Sequence, residues 1–268
     1  MPIIKETLDI FGPQLKVVGT MSVGLEHIDL VECQKRGVKV GYTPNVLTES
    51  VAEVAVTLTL ATARRLEEAF QAVRSGVWGT KWENALWMTG KQIFGSVIGI
   101  VGLGRIGIAT AKRLAAFQPA KIVYTGNSPK VYAEDIGAVF LSFEELLEVS
   151  DYVIATCSIN ETSKGLFGAE AFKRMKPSAI FINVTRGALV DQEALYDALS
   201  NNKIAAAGLD VTTPEPLPPD HKLLSLRNFI LTPHIGSATT ATRNAMCELT
   251  VDNILAGLSN QPLPSPAF

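Results

Sequence analysis

The sequence predicts an α/β protein whose main domain holds a doubly wound parallel sheet. Short apolar segments alternate with segments of helical periodicity from residue 97 to residue 231. The apolar segments are continuous runs, which is typical of strands that helices cover on both faces. Strands and helices that alternate in this way form doubly wound sheets. The predicted strands are 97–101, 121–124, 152–156, 179–184, 205–211 and 229–231, and the predicted helices are 106–117, 144–149, 169–175 and 192–199.

A second, smaller domain is predicted from the two ends of the chain. Residues 16–20 and 39–42 are candidate strands, and a helix over 30–36 would join them and end before Gly37. Two such units hardly make an independent core, so this domain is predicted to be incomplete. It would comprise residues 1–44 and 239–268, and the main domain would comprise residues 45–238.

Two longer helices are predicted at the borders of the main domain. The segment 50–65 is apolar almost all round, which favours a helix buried between domains. Ser50 and Glu53 have the spacing of a capping box at the start of that helix. The other helix, over 239–258, would be the interdomain helix at the carboxyl end.

Composition and charge exclude several classes of protein. The chain has 268 residues, a formal net charge of −2 and no basic stripe of the kind that binds nucleic acid. Its three cysteines lie far apart, which argues against a disulfide framework and a zinc site. The start lacks a signal peptide, and the most apolar stretch, 51–63, is too short to span a membrane. We therefore expect a cytoplasmic protein with no nucleic-acid, membrane or metal partner.

A glycine-rich loop follows the first strand of the main domain. The sequence Gly-Leu-Gly-Arg-Ile-Gly at 102–107 comes directly after an apolar run and opens a predicted helix. Gly102 would permit the tight turn, Gly104 would let the backbone approach a pyrophosphate, and Gly107 would let the helix pack closely on the strand. The helix amino terminus would attract the anion. The alternative is a glycine-rich turn without a ligand.

The end of the next strand bears on the choice of dinucleotide. Enzymes that use NAD usually carry an acid there, which binds the ribose hydroxyls. No carboxylate occurs here before Glu134, whereas Asn127, Ser128 and Lys130 could donate hydrogen bonds to a 2′-phosphate. The sequence therefore favours NADP(H) over NAD(H), although NAD(H) stays open because Lys130 could equally be a solvated loop charge.

Three charged or titratable residues follow later strands and suit the reduction of a keto acid. Arg186 offers a guanidinium fork for a carboxylate, and residue 234 is a histidine, the side-chain type that most often serves as a reversible proton donor. Glu215, between two prolines, could stabilise the protonated imidazole and fix its tautomer. The structural alternatives are an arginine that caps a strand, a lone structural histidine and an exposed acid in a loop.

Four motifs in this order resemble the D-2-hydroxyacid dehydrogenase family. They are the loop at 102–107, Asn-Val-Thr-Arg-Gly at 183–187, the segment 208–216 and Pro-His-Ile-Gly at 233–236. The segments 20–24, 41–44, 124–126 and 209–212 are similar to its animal glyoxylate reductase/hydroxypyruvate reductase branch, and the resemblance spans essentially the whole chain.

This resemblance implies a Rossmann domain with a second, flavodoxin-like domain that is incomplete at its amino end. It also implies NADP(H)-dependent reduction of a short 2-keto acid, glyoxylate to glycolate or hydroxypyruvate to D-glycerate, by a homodimer. Arg186 would bind the substrate carboxylate and carbonyl, with His234 as acid/base and Glu215 as its partner. Substrate-site residues would further include Val23, Gly24, Ser237, Arg243 and the partner subunit's Trp87. The implied cofactor residues are Gly102, Gly104, Arg105, Ile106, Gly107, Asn127, Ser128, Pro129, Lys130, Ser158, Val184, Asp210 and Gly236.

Family members begin with further βα units, so roughly 60 residues are expected to be absent here. We expect cofactor binding to survive this better than catalysis. A phosphoglycerate dehydrogenase would be expected to carry the missing acid, and family formate dehydrogenases pair glutamine with the histidine. The remaining alternative is a dinucleotide-binding regulator or an impaired fragment of the same fold. The C-terminal-binding-protein corepressors share the arginine, glutamate and histidine, so those residues cannot discriminate.

Overall fold

The computed structural model describes residues 2–81 and 83–268. The chain forms two compact units, a smaller one of Met1–Ser50 with Ser237–Phe268 and a larger one of Val51–Gly236. Residues 45–50 and 237–238, which the sequence assigned to the main domain, thus fall in the smaller unit.

The elements, in chain order, are as follows. The strands are β1 (Val17–Gly19), β2 (Lys39–Gly41), β3 (Val97–Val101), β4 (Lys121–Thr125), β5 (Val139–Phe140), β6 (Tyr152–Ala155), β7 (Ile180–Asn183), β8 (Ala206–Leu209) and β9 (Phe229–Leu231). The helices are α1 (Lys5–Phe11), α2 (Leu30–Lys35), α3 (Thr48–Ala63), α4 (Leu66–Arg74), α5 (Trp78–Lys81), α6 (Arg105–Ala115), α7 (Phe143–Val149), α8 (Ala169–Arg174), α9 (Gln192–Ser200) and α10 (Thr240–Leu258). Short 3₁₀ turns lie at Val131–Ile136, Gly187–Leu189 and Lys222–Ser225.

The larger unit contains a seven-stranded sheet in the order β5-β4-β3-β6-β7-β8-β9, and all its neighbouring strands are parallel. The chain proceeds outward from β3 in one direction and then from β6 in the other. The predicted doubly wound Rossmann sheet is therefore confirmed. Its topological switch lies between β3 and β6, and ligands of such sheets bind beyond the carboxyl ends of the strands.

Aromatic packing forms the centre of the larger unit's core. Phe167, Phe172 and Phe181 are fully buried, and the Phe181 ring lies 4.6 Å from that of Phe167 and 5.5 Å from that of Phe172. Phe181 belongs to β7, so this aromatic cluster holds the strand that leads to Arg186. A strand held in this way gives its carboxyl-end loop a rigid base.

Several local predictions differ from the structure. The helix predicted over 50–65 begins two residues earlier at Thr48, so Ser50 lies inside it and donates its hydroxyl to the Leu47 carbonyl at 3.1 Å. The predicted capping box is therefore wrong, whereas a real one joins Ser142 and Glu145 at the start of α7. Helices α4 and α5 and the two-residue strand β5 were not predicted from the sequence.

The smaller unit has a two-stranded parallel sheet of β1 and β2, and α10 packs on it. A side chain at Gly41 would lie 2.5 Å from Asn253 of α10, so the helix sits directly on the strand backbone. Helix α1 begins at Lys5, after Ile3, which pairs in parallel with Ile28.

A partly buried acid joins the amino ends of β3 and β6. Asp151 accepts a hydrogen bond from the Val97 amide at 2.9 Å, and its other oxygen lies 3.3 Å from Lys176 Nζ and 3.5 Å from Lys91 Nζ. Burial raises the pKa of the Asp151 carboxyl, but the Val97 amide and the two lysines outweigh burial, so this pKa is lower than usual. The carboxylate form is thus stabilised by folding.

Replacing Asp151 with asparagine should reduce the free energy of unfolding at neutral pH by about 1–2 kcal/mol. The contribution of a carboxylate with a depressed pKa is fully present above its unfolded value of about 4 and is lost as the pH falls through the folded value. Urea unfolding at several pH values measures the difference. The exposed Glu170→Gln variant is the control, and a difference that persists unchanged in acid would contradict the assignment.

Candidate active site

Three of the candidate catalytic residues lie beyond the carboxyl ends of adjacent strands. Arg186 follows β7, Glu215 follows β8 and His234 follows β9. Since neighbouring parallel strands end at the same edge of the sheet, these residues share the edge where ligands of such folds bind.

The structure brings Glu215 and His234 into direct contact. The distance from His234 Nδ1 to Glu215 Oε2 is 2.8 Å, and the other carboxylate oxygen accepts the Thr212 amide at 2.9 Å. The carboxylate is therefore held from both sides. His234 Nε2 has no hydrogen-bond partner among residues 2–81 and 83–268, and the His234 side chain is 49% exposed. This nitrogen is consequently available to exchange a proton with a ligand.

The turn that carries His234 is held by the buried carboxylate of Asp210. This carboxylate accepts hydrogen bonds from the Thr232 hydroxyl at 2.6 Å, the Ile235 amide at 2.9 Å and the Gly236 amide at 2.8 Å. The Asp210 carbonyl also accepts the His234 amide at 2.9 Å.

The backbone of His234 is left-handed, with φ of 53°. For a non-glycine residue this conformation costs roughly 1–2 kcal/mol, and it persists only where the surroundings impose it. The hydrogen bonds to Asp210 supply that constraint. Sequence reasoning missed this function of Asp210, although a carboxylate directly after a buried strand has to be hydrogen-bonded.

The loop that carries Arg186 packs against the backbone that follows β8. A side chain at Gly187 would lie 2.0 Å from the carbonyl of Thr212, so only glycine fits there. Asn183 donates to the Arg186 carbonyl at 2.9 Å, and the Arg186 guanidinium donates to the Thr185 carbonyl at 2.7 Å. The arginine loop is thus fixed on the same segment that supplies the amide bound by Glu215.

The three glycines of the phosphate loop differ in the space that a Cβ atom would find at each of them. A Cβ at Gly102, where φ is 97°, would lie 2.5 Å from Cys157, and one at Gly107 would lie 2.3 Å from the Gly102 carbonyl oxygen. These two glycines are required by the fold itself. A Cβ at Gly104 would have no atom within 4 Å and φ there is −84°, so nothing within the described chain requires glycine.

The open space at Gly104 lies at the amino terminus of α6. No side chain of the described residues caps this terminus, so the first amides of the helix are free to bind an anion. This arrangement fits a dinucleotide pyrophosphate, for which the amides of Arg105 and Ile106 would be the following donors. The Thr156 hydroxyl holds the loop by donating to the Gly102 carbonyl at 2.7 Å.

Replacing Gly104 with alanine should therefore weaken dinucleotide binding by at least about tenfold, because the added methyl group occupies the path of the pyrophosphate. The thermal midpoint should change little, since that methyl group meets no protein atom. Fluorescence titration and thermal melting measure the two quantities. Gly107→Ala is the matched control and should lose stability instead. Unchanged affinity in Gly104→Ala would contradict this assignment of the loop.

The loop after β4 presents polar groups and no carboxylate. Residues 127–129 are exposed, and Lys130 Nζ donates to the Ser128 hydroxyl at 3.2 Å. The side chains of Lys130 and Ser128 are thus in contact within the loop 127–130, which also contains Asn127 and Pro129. This cationic group is well suited to a phosphate.

Three other candidate cofactor residues also follow strands of the larger unit. Ser158 comes after β6 and is exposed, whereas Val184 after β7 and Gly236 after β9 are buried. Burial raises the pKa of the thiol of Cys157, beside Ser158, to about 11, which disfavours the reactive thiolate at neutral pH. The candidate catalytic residues at this edge are therefore Arg186, Glu215 and His234.

The candidate substrate residues outside the larger unit have local contacts of their own. The Gly24 amide donates to the Ser22 hydroxyl at 3.0 Å, so a substrate carboxylate would have to displace that hydroxyl. Val23 is partly buried, Ser237 precedes α10 and Arg243 is exposed in its first turn. Their roles remain predictions. The same holds for Trp87 of the larger unit, which is partly buried in the segment after α5.

A cavity of about 260 Å³ lies at the opposite edge of the larger unit's sheet, where β7 begins at Ile180. Two of its cations are already paired, since Arg65 binds Glu68 at 2.7 Å and Lys91 lies 3.5 Å from Asp151. None of the candidate site residues lines it. It is therefore separate from the site at the carboxyl edge.

Within the described residues, no cluster of histidine, cysteine and acidic side chains could hold a metal ion. A search of the same residues finds no helix with the length and apolar character that crossing a membrane requires.

The chain is similar to known proteins over nearly its whole length. Residues 56–236 match the family described as D-isomer specific 2-hydroxyacid dehydrogenase, NAD binding domain. The chain is 50% identical over 262 residues to the glyoxylate reductase/hydroxypyruvate reductase of Homo sapiens, a match that covers 97% of this chain and 79% of the human protein. It is 44% identical over 256 residues to a glyoxylate reductase of Thermofilum pendens, covering 95% and 75% of the two chains.

Solved structures show the same relationship. A crystal structure of a Thermus thermophilus protein superposes with a TM-score of 0.89 at 43% identity, covering 95% of this chain and 79% of that one. An NADPH-dependent glyoxylate/hydroxypyruvate reductase of Sinorhizobium meliloti, solved with NADP and malonate, also has a TM-score of 0.89, at 36% identity and coverages of 99% and 82%. The chain thus belongs to the D-isomer specific 2-hydroxyacid dehydrogenases, a family of NAD(P)-dependent oxidoreductases, and its residues 56–236 are that family's NAD-binding domain.

Proposed function

We propose that this chain reduces glyoxylate to glycolate and hydroxypyruvate to D-glycerate with NADPH as the hydride donor. The observation that carries the proposal is the 2.8 Å contact between His234 and Glu215 at the carboxyl edge of the sheet. The phosphate loop lies at the carboxyl end of β3 in the same sheet. The names of the human and Sinorhizobium meliloti relatives support the choice of substrates.

The proposed chemistry divides between three side chains. Bound NADPH would supply the hydride for the carbonyl carbon of the substrate. His234 would donate the proton from Nε2 to the carbonyl oxygen, while Glu215 holds Nδ1 and stabilises the protonated ring. Arg186 would bind the substrate carboxylate with its guanidinium fork and polarise the carbonyl. The alcohol product then carries one added hydride and one added proton, and the neutral imidazole takes up a proton from solvent.

Further residues are proposed to bind the substrate carboxylate. The amides of Val23 and Gly24 are the proposed donors, with Ser237 and Arg243 at the border of the substrate pocket. These assignments rest on the motif at 20–24 and on the match to the relatives. A Ser22→Ala variant tests the proposed role of the Gly24 amide, because it removes the hydroxyl that accepts this amide in the structure.

The preference for NADPH over NADH rests on the loop after β4. No acid stands between Thr125 and Lys130 to repel a 2′-phosphate, and the Lys130 ammonium lies beside the Ser128 hydroxyl. Asn127 adds another hydrogen-bond donor. A positive group with neighbouring donors favours a phosphate over the two free hydroxyls of NADH.

We further propose a homodimer in the cytoplasm. The short helix α4 and the segment after it expose Phe70, Val73 and Trp78, each more than half accessible, which is unusual for apolar side chains outside an interface. A second copy of the chain would cover them and place Trp87 near the partner's substrate site. Cys33, Cys157 and Cys247 are all free thiols, as is usual in the cytosol. Sedimentation equilibrium tests the dimer, and a monomer at micromolar concentration would contradict it.

The test of the proposed activity follows the loss of NADPH absorbance with glyoxylate or hydroxypyruvate as substrate. We expect turnover with both keto acids and a lower KM for NADPH than for NADH. Arg186→Ala and His234→Ala are the matched variants, and activity unchanged in both would defeat the proposed roles. Tight NADPH binding without turnover would favour a dinucleotide-binding regulator or an impaired enzyme of the same fold.

A further inference from the structure

Tyr132 links two loops that the proposed function assigns to opposite sides of the adenosine ribose. It belongs to the 3₁₀ turn Val131–Ile136, directly after the loop 127–130. Its hydroxyl donates a hydrogen bond of 2.6 Å to the carbonyl of Leu103, the second residue of the phosphate loop. No step of the proposed chemistry uses this contact.

The loop 127–130 is held from β4 as well. The Lys130 amide donates to the hydroxyl of Tyr124 at 2.7 Å, and Tyr124 is 2% exposed within β4. The Lys130 carbonyl accepts the Ala133 amide at 3.0 Å, which joins the loop to the turn of Tyr132. The backbone of Lys130 is therefore fixed on both sides, once to the sheet and once to the turn that contacts the phosphate loop.

The phosphate loop is equally constrained at the point that Tyr132 contacts. The side chain of Leu103 is 2% exposed, and the neighbouring Gly102 carbonyl accepts the Thr156 hydroxyl at 2.7 Å. The tyrosine hydroxyl thus joins two rigid segments and sets their separation. Tyr132 is itself 39% exposed, so the hydrogen bond, more than deep burial, holds it in place.

The distance between the phosphate loop and the loop 127–130 matters more for NADPH than for NADH. The 2′-phosphate and the pyrophosphate of NADPH are both attached to the adenosine ribose, so both groups bind only where the two loops stand at a matching distance. NADH has no 2′-phosphate and therefore needs only the phosphate loop. A protein that holds both loops in place before binding loses less conformational freedom when NADPH arrives.

We propose that Tyr132 is a positioning residue for NADPH, which confers cofactor preference by fixing the distance between the phosphate loop and the loop of Lys130 without touching the 2′-phosphate. This inference rests on the proposed preference for NADPH. It adds a determinant that lies outside the phosphate-binding residues themselves.

The test compares Tyr132→Phe with wild type by calorimetric titration of the full chain with NADPH and with NADH. The variant keeps the ring and removes only the hydroxyl, so we expect the Kd for NADPH to rise roughly three- to tenfold and that for NADH less than twofold. Tyr196→Phe on α9, whose ring contacts Lys222, is the matched control and should change neither constant. A merely structural role would lower the thermal midpoint and weaken both cofactors by the same factor.

A double variant identifies the route of the effect. If Tyr132 acts through the loop of Lys130, then Tyr132→Phe should weaken NADPH binding less in a Lys130→Met background than in wild type. Equal effects in both backgrounds, or an unchanged NADPH-to-NADH affinity ratio in Tyr132→Phe, would overturn the positioning role alone. A wild-type protein that binds NADH as tightly as NADPH would instead overturn the proposed cofactor preference and, with it, this inference.

Discussion

Replacing His234 with alanine is expected to lower the turnover number for glyoxylate by about 10²- to 10⁴-fold, which is the usual contribution of a positioned acid. The affinity for NADPH should stay within about twofold of wild type, because binding energy comes from the loops and not from the proton donor. The reason is geometric. The His234 side chain is 49% exposed, and its Nδ1 is held by Glu215 at 2.8 Å.

Two variants make this result specific. Glu215→Gln keeps the size of the side chain but removes the charge that stabilises the protonated ring, so its turnover number should lie between those of His234→Ala and wild type. His221→Ala is the matched control, since the His221 ring caps the 3₁₀ turn Lys222–Ser225 by accepting the Leu223 amide and has no part in the proposed chemistry. Turnover of His234→Ala within tenfold of wild type, or an equal loss in His221→Ala, would exclude His234 as the acid.

Replacing Arg186 with lysine should reduce kcat/KM for glyoxylate by at least about 10²-fold, even though the positive charge remains. An ammonium group cannot form the two parallel hydrogen bonds that a guanidinium offers to a carboxylate. It also lacks the geometry of the Nη1 contact with the Thr185 carbonyl at 2.7 Å, which orients the fork.

Steady-state kinetics and NADPH titration together check this expectation. NADPH affinity should be unchanged, whereas kcat should fall and the KM for the keto acid should rise. Arg227→Lys, at the amino edge of the same sheet, is the matched control and should behave as wild type. A variant Arg186→Lys with full activity would show that charge alone is sufficient and that the fork has no part in recognition.

Most of the larger unit could be predicted from the sequence because its strands are continuous apolar runs. Strands such as 97–101 and 229–231 agree with the structure at both ends. By contrast, β5 has only two residues and sits at the sheet edge, so it carries almost no apolar signal. The start of α3 was missed because Ser50 and Glu53 match a capping box by spacing alone, whereas Ser50 is buried and bonds inside the helix.

The candidate site shows a similar division between residue identity and contact. Arg186, Glu215 and His234 could be found from their residue types and from the ends of strands. The meeting of Glu215 and His234 followed only from family resemblance, because residues far apart in sequence give no spacing signal. The hydrogen bonds of Asp210 to the His234 turn could not be predicted either, since the sequence does not show which backbone amides a carboxylate will bind.

The left-handed turn at His234 means that the proposed proton donor is assembled by folding and does not wait for a ligand. Its backbone is fastened to a carboxylate that is 1% exposed, while the imidazole itself remains open to solvent. Substrate can therefore arrive at a donor whose direction is already set, and little of its binding energy is consumed in arranging that group. Any substitution that relaxes the turn would misdirect the proton even if every side chain of the site were still present.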